Sequence, residues 1–374
     1  MSSRFTVRRI LMTTDAVGGV WTYAVDLCRA LGAHGVEVVL ATMGPPPRPD
    51  QRFEVAALDN VALIESSHRL EWMEDPWDDV GRAGAWLLEL EDHFRPDVIH
   101  LNGYVHGALP WRAPVLVAAH SCVLSWWHAV RGGEPPAEWN RYRDSARGGL
   151  QSADLVVAPT RAMLTALHAH YGFLPRTDVI PNGRHLADLP TAPKEPFVLS
   201  VGRLWDDAKN AATLAQAARD LPWPVRLAGS TNDPENRSNG FAGVQLLGLL
   251  PSAELMQEFA RASIYALPAR YEPFGLSVLE AAAAGCALVL GDIASLREVW
   301  GDAAVYVPPN DVGRLQQTLR ELIADAPRRE ALARRAAATA ACYTTTLMAE
   351  RYVAAYAQLS HGAPVHESAA GTLA

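Results

Sequence analysis

The sequence predicts an α/β protein built from two doubly wound, Rossmann-like domains that face a cleft. Short apolar runs alternate with longer segments of helical period, a pattern typical of a parallel sheet with helices on both faces. This alternation stops at a proline-rich segment near the middle of the chain and then restarts. A length of 374 residues, of which 49% are hydrophobic, suits two cores of ordinary size better than one.

Short apolar runs predict the strands of both domains. In the first half they are Arg9 to Thr13, Val36 to Thr42, Val61 to Ser66, Asp97 to Leu101, Pro114 to His120, Leu155 to Pro159 and Asp178 to Pro181. In the second half they are Phe197 to Val201, Val225 to Ala228, Val244 to Leu247, Ile264 to Leu267, Ala287 to Leu290 and Ala304 to Val307. Helices are expected between them, and Leu255, Phe259 and Ala262 mark the face of one.

The proline-rich segment from Leu186 to Pro196 separates the two halves. Its three prolines interrupt any regular element, which makes it a predicted hinge. We expect an N-terminal domain over residues 1–188 and a C-terminal domain over residues 189–345. The tail from His361 to Ala374 is rich in Ala, Gly, Ser and Pro and is expected to be frayed.

Composition argues against several classes of protein. With 41 acidic and 33 basic residues and a net charge of −8, the chain carries no general signal for binding nucleic acid or an anionic membrane. No apolar run approaches the length of a membrane span, so no transmembrane segment is predicted, and peripheral membrane contact stays open. Four widely spaced cysteines in apolar segments are predicted to be reduced core residues of a cytoplasmic protein: Cys28, Cys122, Cys286 and Cys342.

The most informative stretch runs from Ala269 to Gly285, where a Pro-Phe-Gly turn opens an apolar helix. A helix that begins near the phenylalanine leaves three backbone N–H groups free to hold a phosphate, those of Phe274, Gly275 and Leu276. Glu280 then lies roughly 9 Å further along, about the distance from a diphosphate to its ribose, while Glu272 points the other way. One carboxylate is suited to ribose hydroxyls and the other to a sugar, although a surface helix after an ordinary turn is the alternative.

Two features of the N-terminal half also point to a ligand. Gly18 and Gly19 follow the first predicted strand, where paired glycines permit positive φ and close approach of the backbone to a ligand. Their segment is not Gly-x-Gly-x-x-Gly, which disfavours a nicotinamide site. His120 ends the fifth predicted strand, at the edge where doubly wound sheets bind ligands. The alternatives are a plain turn and a structural histidine, and the spacing predicts no metal site at His120.

Two cations follow the first strand of the C-terminal half. Arg203 follows that strand, and Lys209 is expected to begin the next helix. Held in this way, the two side chains can converge on one anion. A solvated basic pair is the alternative.

Together these motifs resemble the retaining glycosyltransferases of family 4, also called glycosyl transferases group 1, which have the GT-B fold. The resemblance rests on the Glu-x7-Glu signature from Glu272 to Glu280, the Gly-Gly loop, the Gly-Arg-Leu segment followed by lysine, and the Ile-Pro-Asn-Gly turn that ends at Gly183. It runs from about Ile10 to Tyr356. The loop before Lys209 is one residue longer than usual in the family, and Asn210 stands where the family has glycine.

The resemblance implies a metal-independent hexosyltransferase that uses no cofactor. Such an enzyme moves a sugar from a nucleoside-diphosphate sugar to a hydroxyl acceptor and retains the configuration of the anomeric carbon. The resemblance also implies that Arg203 and Lys209 neutralise the leaving diphosphate and that the Gly18–Gly19 loop closes over it. Glu272 and His120 would lie beside the transferred sugar. Residues 346–374 would form a helix that crosses back to the N-terminal domain, followed by the frayed tail. In the chain itself, no Asp-x-Asp motif is present to supply metal ligands.

The sequence does not identify the acceptor, and it is compatible with three functions. Trp126 and Trp127 offer aromatic faces to a sugar ring or a lipid, although both side chains are equally compatible with a core position. A nucleotide-sugar epimerase of similar fold and a non-catalytic nucleotide-sugar-binding protein are the alternatives to a glycosyltransferase.

Overall fold

The computed structural model describes residues 7–186, 189–232 and 241–360. The predicted frayed tail from His361 to Ala374 lies outside the described residues, as do Ala187 and Asp188 of the predicted hinge. Within the described residues, two parallel sheets are flanked by α-helices, which confirms the predicted α/β class. In the same part of the chain, no helix is both long and apolar enough to cross a bilayer.

The first sheet has seven parallel strands in the order β3-β2-β1-β4-β5-β6-β7. They are β1 (Arg9–Asp15), β2 (Glu37–Met43), β3 (Val61–Glu65), β4 (Val98–Leu101), β5 (Val115–Ala118), β6 (Leu155–Ala158) and β7 (Thr177–Val179). Each run predicted in this half forms a strand, with ends that differ by one or two residues. Helices cover both faces, so the central strands β4, β5 and β6 are apolar apart from one histidine and buried throughout.

The second sheet has six parallel strands in the order β10-β9-β8-β11-β12-β13. They are β8 (Glu195–Val201), β9 (Val225–Ala228), β10 (Gln245–Gly248), β11 (Ala262–Leu267), β12 (Ala287–Gly291) and β13 (Ala304–Val307). The strand order reverses at β8 in this sheet and at β1 in the first sheet. Such reversals open a crevice at the carboxyl ends of the strands, where ligands bind in doubly wound folds.

Thirteen α-helices accompany these strands in the described part of the chain. The first seven are α1 (Gly19–Gly32), α2 (Pro49–Ala56), α3 (Trp77–Phe94), α4 (Val123–Arg131), α5 (Asn140–Ser152), α6 (Arg161–Tyr171) and α7 (Ala211–Ala217). The others are α8 (Ser252–Arg261), α9 (Leu276–Ala283), α10 (Ala294–Trp300), α11 (Val312–Ala324), α12 (Ala326–Ala340) and α13 (Thr345–Ser360). The last of them, α13, packs on α1 beside the first sheet.

Contacts within the chain divide it into two compact units. Unit 1 takes the described residues up to Ser125, the segment Glu134–Gly183 and the described chain from Thr345 onward. Unit 2 takes Trp126–Gly133 and Arg184–Thr344. The division after Gly183 falls five residues before the predicted boundary at residue 188.

A local contact explains why unit 2 begins before the predicted boundary. Arg184 forms an isolated parallel bridge with Thr344, and its N–H donates a 3.1 Å hydrogen bond to the carbonyl of Tyr343. The segment that enters unit 2 is therefore paired with the segment that leaves it. The described part of the predicted hinge belongs wholly to unit 2.

Two residues do not occupy the positions predicted for them. Ala262 was expected on a helix face, but α8 ends at Arg261 and Ala262 begins β11, because the strand follows the helix without a loop. Cys342 was expected in the core but is exposed, since it lies in the turn after α12. The other three cysteines are buried, and all four are free thiols.

Candidate active site

The structure brings Lys209 and Glu272 together in unit 2. Lys209 lies in the loop after β8, and Glu272 lies between β11 and α9. The Lys209 ammonium Nζ donates a hydrogen bond to Oε2 of Glu272. Only 17% and 12% of the two side chains are exposed. Ser295 Oγ donates a 2.6 Å hydrogen bond to the Glu272 carbonyl, which anchors the main chain beneath this carboxylate.

Asn210 gives the Lys209 loop its shape. It has a φ of +59°, in the left-handed region that asparagine tolerates better than most residues and glycine adopts freely. Its amide Nδ2 donates to the carbonyls of Pro268 and Pro309, at 2.9 and 2.6 Å, which ties the loop after β8 to the loops after β11 and β13. Asparagine therefore retains the conformation available to the family's glycine. Lys209 was predicted to begin the next helix, but α7 begins at Ala211 with Asn210 as its N-cap.

Arg203 lies beside a buried carboxylate, Asp206. Its Nη2 donates a 2.8 Å hydrogen bond to Oδ2 of Asp206, whose side chain is 4% exposed. Burial raises the pKa of Asp206, but the charges of Arg203 and Lys209, with hydrogen bonds from Trp126 and the Ala208 N–H, outweigh this effect and leave the pKa below its usual value. The Nε of Arg203 is buried and has no hydrogen-bond partner among the described residues. Both predicted cations thus lie near one ionised carboxylate.

Trp126 is engaged with the same carboxylate. This tryptophan belongs to the part of α4 that lies in unit 2, and its indole N–H donates a 2.9 Å hydrogen bond to Oδ1 of Asp206. The guanidinium of Arg131 lies 5.4 Å from the centre of its ring, and the ring of Trp127 meets it edge-on at 6.2 Å. The acceptor role predicted for the two tryptophans stays a prediction, with the N–H of Trp126 already bonded.

The helix after Glu272 begins later than predicted. Gly275, with a φ of +92°, is the N-cap of α9, so the helix starts at Leu276 instead of Phe274. A Cβ at Gly275 would lie 2.9 Å from Cγ2 of Val278, which adds a steric reason for glycine. The N–H groups left without intrahelical partners are those of Gly275, Leu276, Ser277 and Val278. Phe274 instead places a buried side chain against Tyr343, with ring centroids 5.5 Å apart.

Glu280 lies on the second turn of α9 and has a cationic partner. Nε of Arg184 donates a 2.7 Å hydrogen bond to its Oε1, and the two side chains are 15% and 9% exposed. The sequence singled out Glu280 but not Arg184, which directly follows the Pro-Asn-Gly turn. The pair spans 96 residues of sequence, and no short motif reports a contact of that range.

In unit 1, Gly18 has the conformation predicted for the glycine pair. Its φ of +86° makes it the N-cap of α1, and Gly19 is the first residue of that helix. The preceding turn is held by a 2.7 Å hydrogen bond from the Val17 N–H to Oδ1 of Asp15. The loop after β1 therefore presents the N-terminus of a 14-residue helix.

His120 is held in one tautomer by Asn102. The Asn102 amide Nδ2 donates to the Thr13 carbonyl at 2.7 Å, so its Oδ1 is the acceptor that faces Nε2 of His120 at 2.8 Å. Nε2 therefore carries the proton, and Nδ1 carries the lone pair. Burial lowers the pKa of His120 to about 3, so the ring is neutral near pH 7. The ring of Tyr23 packs against the His120 ring at an interplanar angle of 57°, with centroids 4.2 Å apart.

A second histidine, His100 on β4, lies in the core next to this site. Its Nδ1 lies 2.6 Å from the hydroxyl of Tyr356 on α13, and its Nε2 lies 3.3 Å from the hydroxyl of Tyr23. Burial lowers the pKa of His100 to about 3. Neither His100 nor Asn102 is recognisable from the sequence, because a single polar residue within or just after an apolar strand has no distinctive spacing.

The comparisons with known proteins fit this geometry. The model described as Glycosyltransferase Family 4 matches residues 17–188, and the model described as Glycosyl transferases group 1 matches residues 184–339. Together the two models span every candidate site residue that the sequence predicted. The chain belongs to the group 1 glycosyltransferases.

Relatives of this glycosyltransferase cover most of its length. A glycogen synthase of Mycobacterium tuberculosis is 27% identical over 357 residues, which is 85% of the chain and 86% of that protein. A D-inositol 3-phosphate glycosyltransferase of Corynebacterium diphtheriae is 25% identical over 385 residues, covering 91% and 89%.

Solved structures show the same GT-B fold. Sucrose-phosphate synthase from Thermosynechococcus elongatus has a TM-score of 0.80 at 21% identity and covers 95% of this glycosyltransferase and 100% of its own chain. Anabaena HepE in complex with UDP and glucose has a TM-score of 0.72 at 15% identity, covering 93% and 99%. The family models confirm the predicted family, and these structures confirm the predicted fold.

Proposed function

We propose that this glycosyltransferase moves a hexosyl group from a nucleoside-diphosphate sugar to a hydroxyl acceptor and retains the configuration of the anomeric carbon. The observation that carries the proposal is the placement of Lys209 and Glu272 as a largely buried ion pair close to the N-terminus of α9. Cations and free N–H groups at one point suit a diphosphate, and a carboxylate beside them suits a sugar. The fold shared with an Anabaena protein solved with UDP and glucose supports a nucleotide donor.

The leaving diphosphate gains negative charge in the transition state, and we assign its stabilisation to Arg203, Lys209 and the first N–H groups of α9. One close charge pair contributes up to about 4 kcal/mol at an effective dielectric near 20. The Lys209 ammonium has three donors, so its bond to Glu272 leaves two for phosphate oxygens. With this charge already in place, the reaction needs neither a metal nor another cofactor.

The reaction that we propose takes place on one face of the sugar. The bond from the anomeric carbon to the phosphate oxygen breaks, a bond to the acceptor oxygen forms, and the acceptor proton passes to the departing phosphate oxygen. A double-displacement route would instead need a carboxylate nucleophile on the opposite face. In this proposal Glu272 orients sugar hydroxyls, and neutral His120 offers Nδ1 to a sugar hydroxyl.

Glu280 is assigned to the ribose of the donor, one helical turn beyond the phosphate site. The Gly18–Gly19 loop is assigned to the diphosphate, because a backbone with positive φ and the N-terminus of α1 both suit an anion. We place the activity in the cytoplasm, since four free thiols are typical of a reducing compartment. The cation pair argues against a non-catalytic nucleotide-sugar-binding protein, and nothing in the comparisons favours an epimerase.

Calorimetric titration with UDP, GDP and ADP, run beside a donor-hydrolysis assay, tests the proposal. We expect one of the three nucleotides to bind more tightly than the others, and the matching nucleotide sugar to be hydrolysed slowly without acceptor. A protein that binds none of them, or that only interconverts the sugar while it stays attached to the nucleotide, would contradict the proposal.

A further inference from the structure

Arg184 and Glu280 form an ion pair at the assigned ribose position. The distance from Nε of Arg184 to Oε1 of Glu280 is 2.7 Å, and both side chains are largely buried. No other side-chain hydrogen bond to Glu280 occurs among the described residues. Because the arginine uses Oε1, the second oxygen, Oε2, is left for a ligand.

The main chain of Arg184 is anchored independently of its side chain. Its N–H bonds to the Tyr343 carbonyl at 3.1 Å, and the residue forms a bridge with Thr344. The guanidinium is therefore delivered to Glu280 from a fixed point. A guanidinium held in this way restricts the partner carboxylate to few rotamers, because its planar set of donors has a defined direction.

Burial makes Glu280 depend on the arginine for its orientation. A carboxylate with 9% of its side chain exposed has lost most of its hydration, and the guanidinium takes the place of the lost water as its polar partner. A carboxylate that is held in one orientation can accept hydrogen bonds from two neighbouring hydroxyl groups. A carboxylate that samples several rotamers binds them less well.

We infer that Arg184 is a positioning residue that holds the Glu280 carboxylate aimed at the ribose, and so sets the preference for ribonucleotides over their deoxy forms. The inference rests on the proposed function, since it takes the ligand of Glu280 to be the donor ribose. It predicts a selective effect. Loss of Arg184 should weaken the contact with the 2′- and 3′-hydroxyls and leave the phosphate contacts in place.

The experiment compares two ligands in five proteins. The ligands are whichever of UDP, GDP and ADP the wild type binds best and its 2′,3′-dideoxy analogue, titrated by calorimetry. The proteins are the wild type, Arg184→Met, Arg184→Lys, Glu280→Gln and the control Arg226→Met. The control breaks a comparable ion pair of unit 2, between Arg226 and Glu258 at 3.0 Å, whose side chains are 21% and 12% exposed. Melting temperatures report whether each variant is folded.

In the wild type we expect the ribonucleotide to bind about 10- to 100-fold more tightly than the dideoxy form, the range for a charged hydrogen bond. In Arg184→Met this ratio should fall toward that of Glu280→Gln, with dideoxy affinity nearly unchanged. Arg184→Lys should restore part of the ratio, and Arg226→Met should keep all of it.

Two results would overturn the inference. If the folded Arg184→Met protein keeps the full ribose preference, Arg184 does not position Glu280. If the Arg184→Met substitution weakens the binding of both ligands equally, the role of Arg184 is structural. Absence of any nucleotide binding by the wild type is a different result, because it contradicts the proposed function itself and removes this inference with it.

Discussion

Asn102 determines which nitrogen of His120 carries the proton. Its amide Nδ2 donates to the Thr13 carbonyl, so its Oδ1 accepts a 2.8 Å hydrogen bond from Nε2 of His120. Nδ1 is left as an acceptor. The asparagine comes from the loop after β4 and the histidine from the loop after β5, and these two strands are neighbours in the first sheet.

This arrangement predicts that Asn102→Asp changes the pH dependence of transfer. A carboxylate in place of the amide favours the charged imidazolium, so the pKa of His120 should rise from about 3 toward its ordinary value. We expect kcat/KM of the variant to fall as the pH drops from 8 to 5, while the wild type shows no such step from His120. An equal fall of kcat/KM between pH 8 and pH 5 in the variant and the wild type would contradict the tautomer assignment.

His100 predicts a pH dependence of stability. Its pKa is lowered to about 3 in the folded chain, and unfolding restores a value near 6.5, so the unfolded chain binds the extra proton between these pH values. Acid therefore favours unfolding. Between pH 7.5 and pH 5 we expect His100 to account for a loss on the order of 1–2 kcal/mol in the free energy of unfolding.

Urea denaturation of the wild type and His100→Gln at the two pH values measures this contribution. The variant is expected to be less stable at pH 7.5, because it loses buried contacts, but its stability should decline less on acidification. An equal decline in both proteins would show that His100 does not titrate as described.

The cation pair predicts a loss of rate. Arg203→Ala and Lys209→Ala should each lower kcat/KM roughly 10²-fold or more, because each removes charge that stabilises the departing diphosphate. Arg226→Ala, which breaks an ion pair elsewhere in unit 2, should keep normal turnover per folded molecule. Normal turnover in a folded Lys209→Ala protein would mean that its contact with Glu272 has no part in catalysis.

Substitutions of the two glutamates should weaken the binding of different ligands. Glu280→Ala should weaken the free nucleoside diphosphate and the nucleotide sugar alike, by about 1.5–3 kcal/mol, the range for a charged hydrogen bond. Glu272→Ala should spare the free nucleotide and weaken only the ligand that carries a sugar. Calorimetry with both ligands measures the difference, and equal losses in both variants would reverse the assignment.

Gly18 offers a test of the loop after β1. Alanine at a φ of +86° is strained, so Gly18→Ala should destabilise the protein and also lower the rate of transfer. Gly35→Ala is the matched control, because Gly35 has a φ of +71° and open space where a Cβ would lie. If the two variants lose stability and activity in the same proportion, the loop is a plain turn.

Much of the fold was predictable because apolar runs report parallel strands directly. β9 and β13 begin and end at the predicted residues, where four apolar or half-buried residues are bounded by loops. The start of α9 was not predictable, since only the structure shows that Gly275 has a positive φ and caps the helix.

The site was predictable only as far as its motifs extend. Lys209 and Glu272 lie in short signatures, and the structure pairs them. Asn102, Asp206 and Arg184 act through contacts with residues on other elements or through buried charge, and their own sequence context resembles that of ordinary loop residues. Long-range partners of this kind require coordinates.

In the proposed reaction the sugar leaves a nucleoside diphosphate with retention of the anomeric configuration and without a metal. Proton NMR of a reaction started with an α-linked nucleotide sugar, in the presence of EDTA and an acceptor, tests it most directly. We expect the first product formed to carry the α anomer and one nucleoside diphosphate to be released per transfer. A β-linked product, or transfer that stops until a divalent cation is restored, would contradict it.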